Sequence, residues 1–157
     1  MRKEGRMFST VRYFIKTSFA FLVLGLLTGV YMSLARNVFD RDFGDELISA
    51  HTHVILVGSV MMMIMGVALW FFPRPPREDT RYNPDLIRLT YWIITIATAI
   101  RFIFQFTTAY LEVREVRWGI AAASALQVVA MILFFYSMWG RIRSLGSAER
   151  EAKGEKF

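Results

Sequence analysis

The sequence predicts an all-α integral membrane protein, a four-helix bundle with its N- and C-termini in the cytoplasm. Hydrophobic residues make up 55% of the 157-residue chain, and they occur in four blocks whose ends carry most of the charged residues. Each block is long enough to cross about 30 Å of hydrocarbon as a helix. The stretches between the blocks are too short to fold as a soluble domain.

The predicted helices cover residues 11–35, 47–72, 87–111 and 119–139 and form one domain of residues 1–140. A basic stretch, "MRKEGR", precedes the first helix. The apolar run behind it is too long for a signal peptide and lacks a small-residue cleavage site, so we expect it to stay as an anchor. Residues 141–157 are a charged cytoplasmic tail, for which we expect a frayed helix or disorder.

The positions of lysine and arginine predict the orientation. Most of the 19 basic residues lie in the N-terminus, in the loop between the second and third helices, or in the tail. The other end of the bundle holds Arg36, Arg41, Arg114 and Arg117. By the positive-inside rule we expect a multi-pass protein of the inner or plasma membrane, in contact with the lipid bilayer. The basic residues form no patch interleaved with aromatics, so the formal charge of +6 does not indicate nucleic-acid binding.

The absence of cysteine excludes disulfides, thiolate metal sites and Fe–S clusters. The only two histidines, His51 and His53, lie near the outer end of the second predicted helix. Neutral imidazole is a common ligand of haem iron and other metals, and an ionisable group in a membrane helix indicates a functional site. The alternative is a ring held at the membrane interface. Residues two apart point about 200° apart, so both histidines bind one ion only if the helix breaks.

The helical row through His51 continues at Ile55, Gly58, Met62 and either Met65 or Gly66. Gly58 would let a flat macrocycle approach the backbone, and methionines adapt to its edge. Alternatively, the glycines of this helix permit close helix packing. The methionines of residues 61–65 beside the histidines are also compatible with Cu(I), although consecutive methionines point all around a helix and core packing is the favoured interpretation.

The stretch "AHTHVILVGSVMMMIMGVALWFFP" resembles the second transmembrane helix of the haem–copper oxidase large subunit, especially C-type oxidases and bacterial nitric oxide reductases. In that family a His-Thr-Asn segment opens the helix, a glycine follows within about two turns, and aromatics and a proline close it. The matching residues here are His51-Thr52-His53, Gly58, Trp70, Phe71, Phe72 and Pro73. The span "YFIKTSFAFLVLGLLTGVYMSL" is similar to the family's first helix. The resemblance covers about the first half of the chain.

The resemblance implies that His51 is an axial ligand of a low-spin haem b near the outer face. A family catalytic subunit needs further histidines, so the resemblance does not extend to a complete binuclear centre in this chain. The second axial ligand would come from another copy of the chain, from His53 or from Met62. A homodimer that shares one haem is the simplest arrangement. Gly25 and Gly29 of "GLLTG" offer a small-residue face either for such association or for packing within one chain.

Arg101 lies deep in the third predicted helix, where an unpaired guanidinium is costly. Gln105 is one turn further on the same face, and Gln127 lies at a similar depth in the fourth helix. We expect these three side chains to form a buried polar cluster. Arg101 would then pair with a haem propionate, because arginine matches carboxylates bidentately. The alternatives are snorkelling and an amide network that only joins helices.

These inferences predict a membrane b-type haem protein that acts in electron transfer or in binding a diatomic gas such as O2 or NO. A redox partner would dock at the outer face, where the loop "ARNVFDRDFGDELIS" carries acidic residues, although a solvated loop is the simpler interpretation. One alternative is a cofactor-free accessory or assembly subunit of a respiratory complex. Another is a copper-handling membrane protein that uses His51, His53 and methionines.

Overall fold

The computed structural model describes residues 2–72, 81, 83–111, 114–142 and 153–154, with side chains from residue 9 onward. The described part of the chain is helical and contains no strand. The helices are α1 (Arg2–Asn37), α2 (Asp45–Phe71), α3 (Pro84–Thr108) and α4 (Arg114–Met138), followed by a 3-10 turn at Trp139–Arg141. Each helix is long and apolar enough to cross a membrane. The predicted all-α membrane bundle is confirmed, whereas the cytoplasmic position of the termini stays a prediction.

The helices differ from the predicted spans mainly at their polar ends. α3 begins at Pro84 because Asn83 caps it: the Asn83 side chain accepts a hydrogen bond from the backbone N–H of Asp85 at 2.9 Å. α4 begins at Arg114, so its first turn is charged. Hydropathy alone does not reveal such turns, because they lie beyond the apolar part of the helix. The expected frayed or disordered tail falls mostly outside the described residues.

Two helical hairpins form the bundle. α1 packs along α2, α3 packs along α4, and the first turns of α2 contact α3. Phe14 of α1 is fully buried where the hairpins meet, with its ring edge-on to Tyr91 at 5.2 Å and to Phe134 at 6.4 Å between centroids. Such edge-to-face contacts stabilise aromatic pairs beyond their buried area. The core therefore joins α1, α3 and α4 through one aromatic side chain.

α2 changes its helical type along its length. It is an α-helix over Asp45–His53, a π-helix over Val54–Met61 and an α-helix again over Met62–Phe71. The wider π turn buries Gly58 and Ser59 together. π segments are rare and are frequent at functional sites. The sequence analysis predicted a regular helix here and missed the change, which begins directly after His53.

Arg141 is buried and ties α4 to α2. Its Nη2 atom donates to the carbonyl oxygens of Leu69 at 2.9 Å and Phe72 at 2.6 Å. These carbonyls belong to the end of α2, where backbone acceptors have no partner within the helix and a cation is favoured. The residue assigned to the start of the charged tail is therefore part of the bundle, with 2% of its surface exposed.

Candidate functional site

His51 projects from α2 onto the glycine face of α1. Its Nδ1 atom lies 3.0 Å from the carbonyl oxygen of Gly25. A Cβ atom at position 29 would lie 3.0 Å from the Cε1 atom of His51, so the ring rests on Gly29. The small-residue face of "GLLTG" therefore packs within one chain, which is one of the two alternatives that the sequence left open.

The Gly25 carbonyl determines the tautomer of His51. A carbonyl oxygen only accepts, so the neutral ring places its proton on Nδ1 and donates it to Gly25. The lone pair is then on Nε2. This is the protonation state in which an imidazole ligates a metal through Nε2.

His53 contacts a different part of the bundle. Its Nδ1 atom lies 2.8 Å from the carbonyl oxygen of Ser49, one turn back along α2, and 3.4 Å from the Ser49 hydroxyl. Ser49 in turn accepts a hydrogen bond from Gln105 of α3 at 2.7 Å. His51 is thus linked to α1 and His53 to α3. Within the described ranges, no group of three or more histidine, aspartate or glutamate residues is arranged to hold a metal ion.

Arg101, Gln105 and Gln127 form the polar cluster that their spacing predicts. Arg101 donates through Nη1 to the Gln127 side-chain oxygen at 2.9 Å and through Nε to that of Gln105 at 3.4 Å. The amide nitrogen of Gln127 donates to the Thr98 hydroxyl at 2.9 Å. Both glutamines are buried, and Arg101 is half-buried. The clustering is confirmed, and its role toward a cofactor stays a prediction.

The cluster continues across α2 to His53. The amide nitrogen of Gln105 lies 2.7 Å from the Ser49 hydroxyl and 3.1 Å from the Glu46 carboxylate. The sequence analysis placed Glu46 and Ser49 in the acidic outer loop and did not connect them with this cluster. Glu46, Ser49 and His53 are spaced three and then four residues apart, which places them on one face of a helix. This spacing could have predicted their contact.

Gly58 and Met62, which were expected at a cofactor face, contact α1 or the core. A Cβ atom at position 58 would lie 2.8 Å from the Cγ atom of Phe21, so this aromatic ring covers the glycine. Met62 is fully buried in the hydrophobic core. These contacts are those of close helix packing.

Comparison with known proteins identifies a family. Residues 9–155 match the family model described as cytochrome c and quinol oxidase polypeptide I. No curated protein and no solved structure matches the chain. The match extends across both hairpins, further than the resemblance seen in the first half of the sequence, and it confirms the relation to the haem–copper oxidase large subunit.

Proposed function

Because the chain belongs to the cytochrome c and quinol oxidase polypeptide I family, we propose that it binds a b-type haem through His51. The haem would serve electron transfer or the binding of a diatomic gas, O2 or NO. The proposal does not include a complete binuclear centre, since the chain has two histidines in all. Bound haem would supply a one-electron iron couple or an iron with a free coordination position.

The observation that carries the proposal is the hydrogen bond between His51 and Gly25. Metal-ligating histidines almost always donate their second ring N–H to a carbonyl or carboxylate, which fixes the tautomer and the ring orientation. His51 has this arrangement, with Nδ1 3.0 Å from the carbonyl oxygen. Gly29 supports it, because a side chain there would press on the imidazole. These contacts with α1 therefore support Nε2 of His51 as the proposed iron ligand.

The second axial ligand is assigned to a second copy of the chain. Met62 is fully buried in the core, and His53 is linked to α3 through Ser49. In a two-fold symmetric dimer the same group is presented twice, so two His51 side chains would hold one haem. Such a haem would have both axial positions filled and would serve electron transfer, whereas gas binding would require a haem held by a single His51. The proposal leaves packing roles to Gly58 and Met62.

Arg101 enters the proposal as the partner of a haem propionate. It is half-buried and takes part in no ion pair with a described residue. Its hydrogen-bond partners are the neutral amides of Gln105 and Gln127, and the nearby Glu46 carboxylate acts on its charge without a direct ion pair. A partly buried guanidinium that has no carboxylate in direct contact would be stabilised further by an anionic group that approaches it.

The test is an absorption spectrum of the detergent-purified protein, oxidised and dithionite-reduced, with a pyridine haemochrome assay. The proposal expects a b-type spectrum and a haem-to-chain ratio near one half. A haem-to-chain ratio near one would contradict the sharing of one haem by two chains but would still support a haem protein. A protein that stays colourless after haem addition would overturn the proposal.

The second candidate is a cofactor-free accessory or assembly subunit. The packing of Phe21 over Gly58 favours it, because the face expected to accept a macrocycle is filled within the chain. A colourless protein that copurifies with a respiratory complex would support it. A colourless protein that binds Cu(I), lost on substitution of His51 and His53, would instead indicate copper handling.

A further inference from the structure

A cavity of about 560 Å³ opens beside the first two turns of α4, at the end of the bundle where α2 begins. It is lined by Arg114, Arg117, Trp118 and Ala121. These positions are three, four and seven residues from the first, so they share one face of α4. The cavity contains none of the residues that the haem proposal uses.

The two arginines give the cavity a positive charge. Both are exposed, and neither forms an ion pair with a carboxylate of the described residues. Guanidinium groups bind phosphate oxygens through parallel N–H bonds. The cavity therefore suits a phosphate group.

Further along α4, on the same side as the arginines, the exposed side chains are small or apolar. Ala121, Ala122 and Ala125 are exposed, and they are followed by Val128 and Ile132, with 56% and 60% of their surfaces exposed. The alanine side chains are short, so an acyl chain can approach the helix closely at these positions. Trp118, with 78% of its surface exposed, lies between the arginines and the alanines along α4. Tryptophan prefers the level of lipid headgroups, which places the arginines at the depth of phosphates.

We propose that this face of α4 binds an anionic phospholipid, with its phosphate between Arg114 and Arg117 and an acyl chain along the exposed alanines. The arginines would bind the headgroup, and the apolar surface of α4 would contact the chain. A soluble phosphate would use only the arginines, whereas a phospholipid uses both parts. The proposal is independent of haem binding.

Trp118 serves as the reporter in the test. The other three tryptophans lie toward the opposite end of the bundle and are exposed: Trp70, Trp92 and Trp139. Their joint substitution by phenylalanine leaves Trp118 as the single tryptophan. This variant is reconstituted in phosphatidylcholine vesicles that contain an equal fraction of either brominated phosphatidylglycerol or brominated phosphatidylcholine, with bromine high on the acyl chains. Quenching of Trp118 then measures which lipid occupies the site.

The expected result is stronger quenching by the brominated phosphatidylglycerol. Loss of each arginine, in Arg114→Gln and Arg117→Gln, should reduce the preference for the anionic lipid about fivefold. The matched control, Arg36→Gln with Arg41→Gln, removes the same charge from the same end of the bundle and should keep the preference. The double variant Arg114→Lys with Arg117→Lys keeps the charge, so it should retain most of the preference for the anionic lipid.

Three results would overturn the proposal. Equal quenching by both brominated lipids would show that the site does not select an anionic headgroup. If the Arg36/Arg41 control lost as much of the preference for the anionic lipid as the Arg114/Arg117 variants, the preference would result from overall surface charge. Loss of the preference on addition of inorganic phosphate, with no change in salt-matched chloride, would assign the arginines to a soluble anion.

Discussion

The Nδ1 atom of His51 lies 3.0 Å from the carbonyl oxygen of Gly25, so a side chain of α2 is fixed by the backbone of α1. This carbonyl lies within a helix and is free to accept a second hydrogen bond because a carbonyl oxygen has two lone pairs. The close approach requires glycine on α1, since a Cβ atom at Gly29 would already press on the ring. One contact therefore sets the tautomer, orientation and depth of the proposed ligand.

The first prediction separates the two histidines. His51→Ala should abolish haem binding, because it removes the imidazole whose Nε2 is the proposed ligand. His53→Ala is the matched control and should keep haem, because its ring is linked to Ser49 on the other side of α2. The measurement is haem content by pyridine haemochrome after purification in detergent. Retention of haem in His51→Ala with loss in His53→Ala would reverse the ligand assignment.

The second prediction concerns Gly29. In Gly29→Ala the new Cβ atom would stand 3.0 Å from His51 Cε1, so either the ring or α1 must shift. Overpacking of this kind typically costs about 1–3 kcal/mol. We expect a weaker hydrogen bond between His51 and Gly25, a shifted Soret band and faster loss of haem to a scavenger such as apomyoglobin.

Gly44→Ala is the control for that substitution. A Cβ atom at position 44 would meet its nearest neighbour, the carbonyl oxygen of Ala109, at 3.6 Å, an ordinary contact. Gly44→Ala should therefore leave the spectrum and haem loss unchanged. Identical behaviour of the two variants would mean that Gly29 has no special relation to the His51 ring.

The third prediction tests whether Arg101 holds a propionate. Arg101→Gln removes a charge-assisted hydrogen bond, so haem affinity should fall about tenfold. The reduction potential should also fall, because a nearby cation favours the reduced, less positive haem. Arg101→Lys keeps the charge, so its reduction potential should stay close to that of the unsubstituted protein, whereas its haem affinity should fall further. Both quantities come from haem titration and from a spectroscopic redox titration.

A purely structural role for Arg101 would give another result. Its bonds to Gln105 and Gln127 join α3 to α4, and their loss would lower the stability of the bundle. Unchanged haem affinity and potential together with easier unfolding in detergent would assign the residue to helix packing.

The sequence predicted those parts of the molecule that depend on local pattern. Apolar length gave four helices, and one-turn spacing with similar depth brought Arg101, Gln105 and Gln127 together. The cover of Gly58 by Phe21 was not predictable, because a glycine on a helix face accepts a macrocycle or an aromatic ring equally well. The π segment of α2, which contacts α1, was also missed, because an apolar run predicts a helix without indicating its type.

The last prediction concerns Arg141, whose guanidinium caps the end of α2. Arg141→Met keeps much of the side-chain length but leaves the carbonyl oxygens of Leu69 and Phe72 without this donor. An unsatisfied buried acceptor costs about 1–3 kcal/mol, so the free energy of unfolding should fall by that amount. The control is Arg36→Met, which removes an exposed arginine paired with Asp42 at 3.7 Å. Exposed ion pairs contribute little, so the control should change stability by less than about 1 kcal/mol. Both values come from equilibrium unfolding in mixed micelles, and equal effects of the two substitutions would show that Arg141 does not hold α4 to α2.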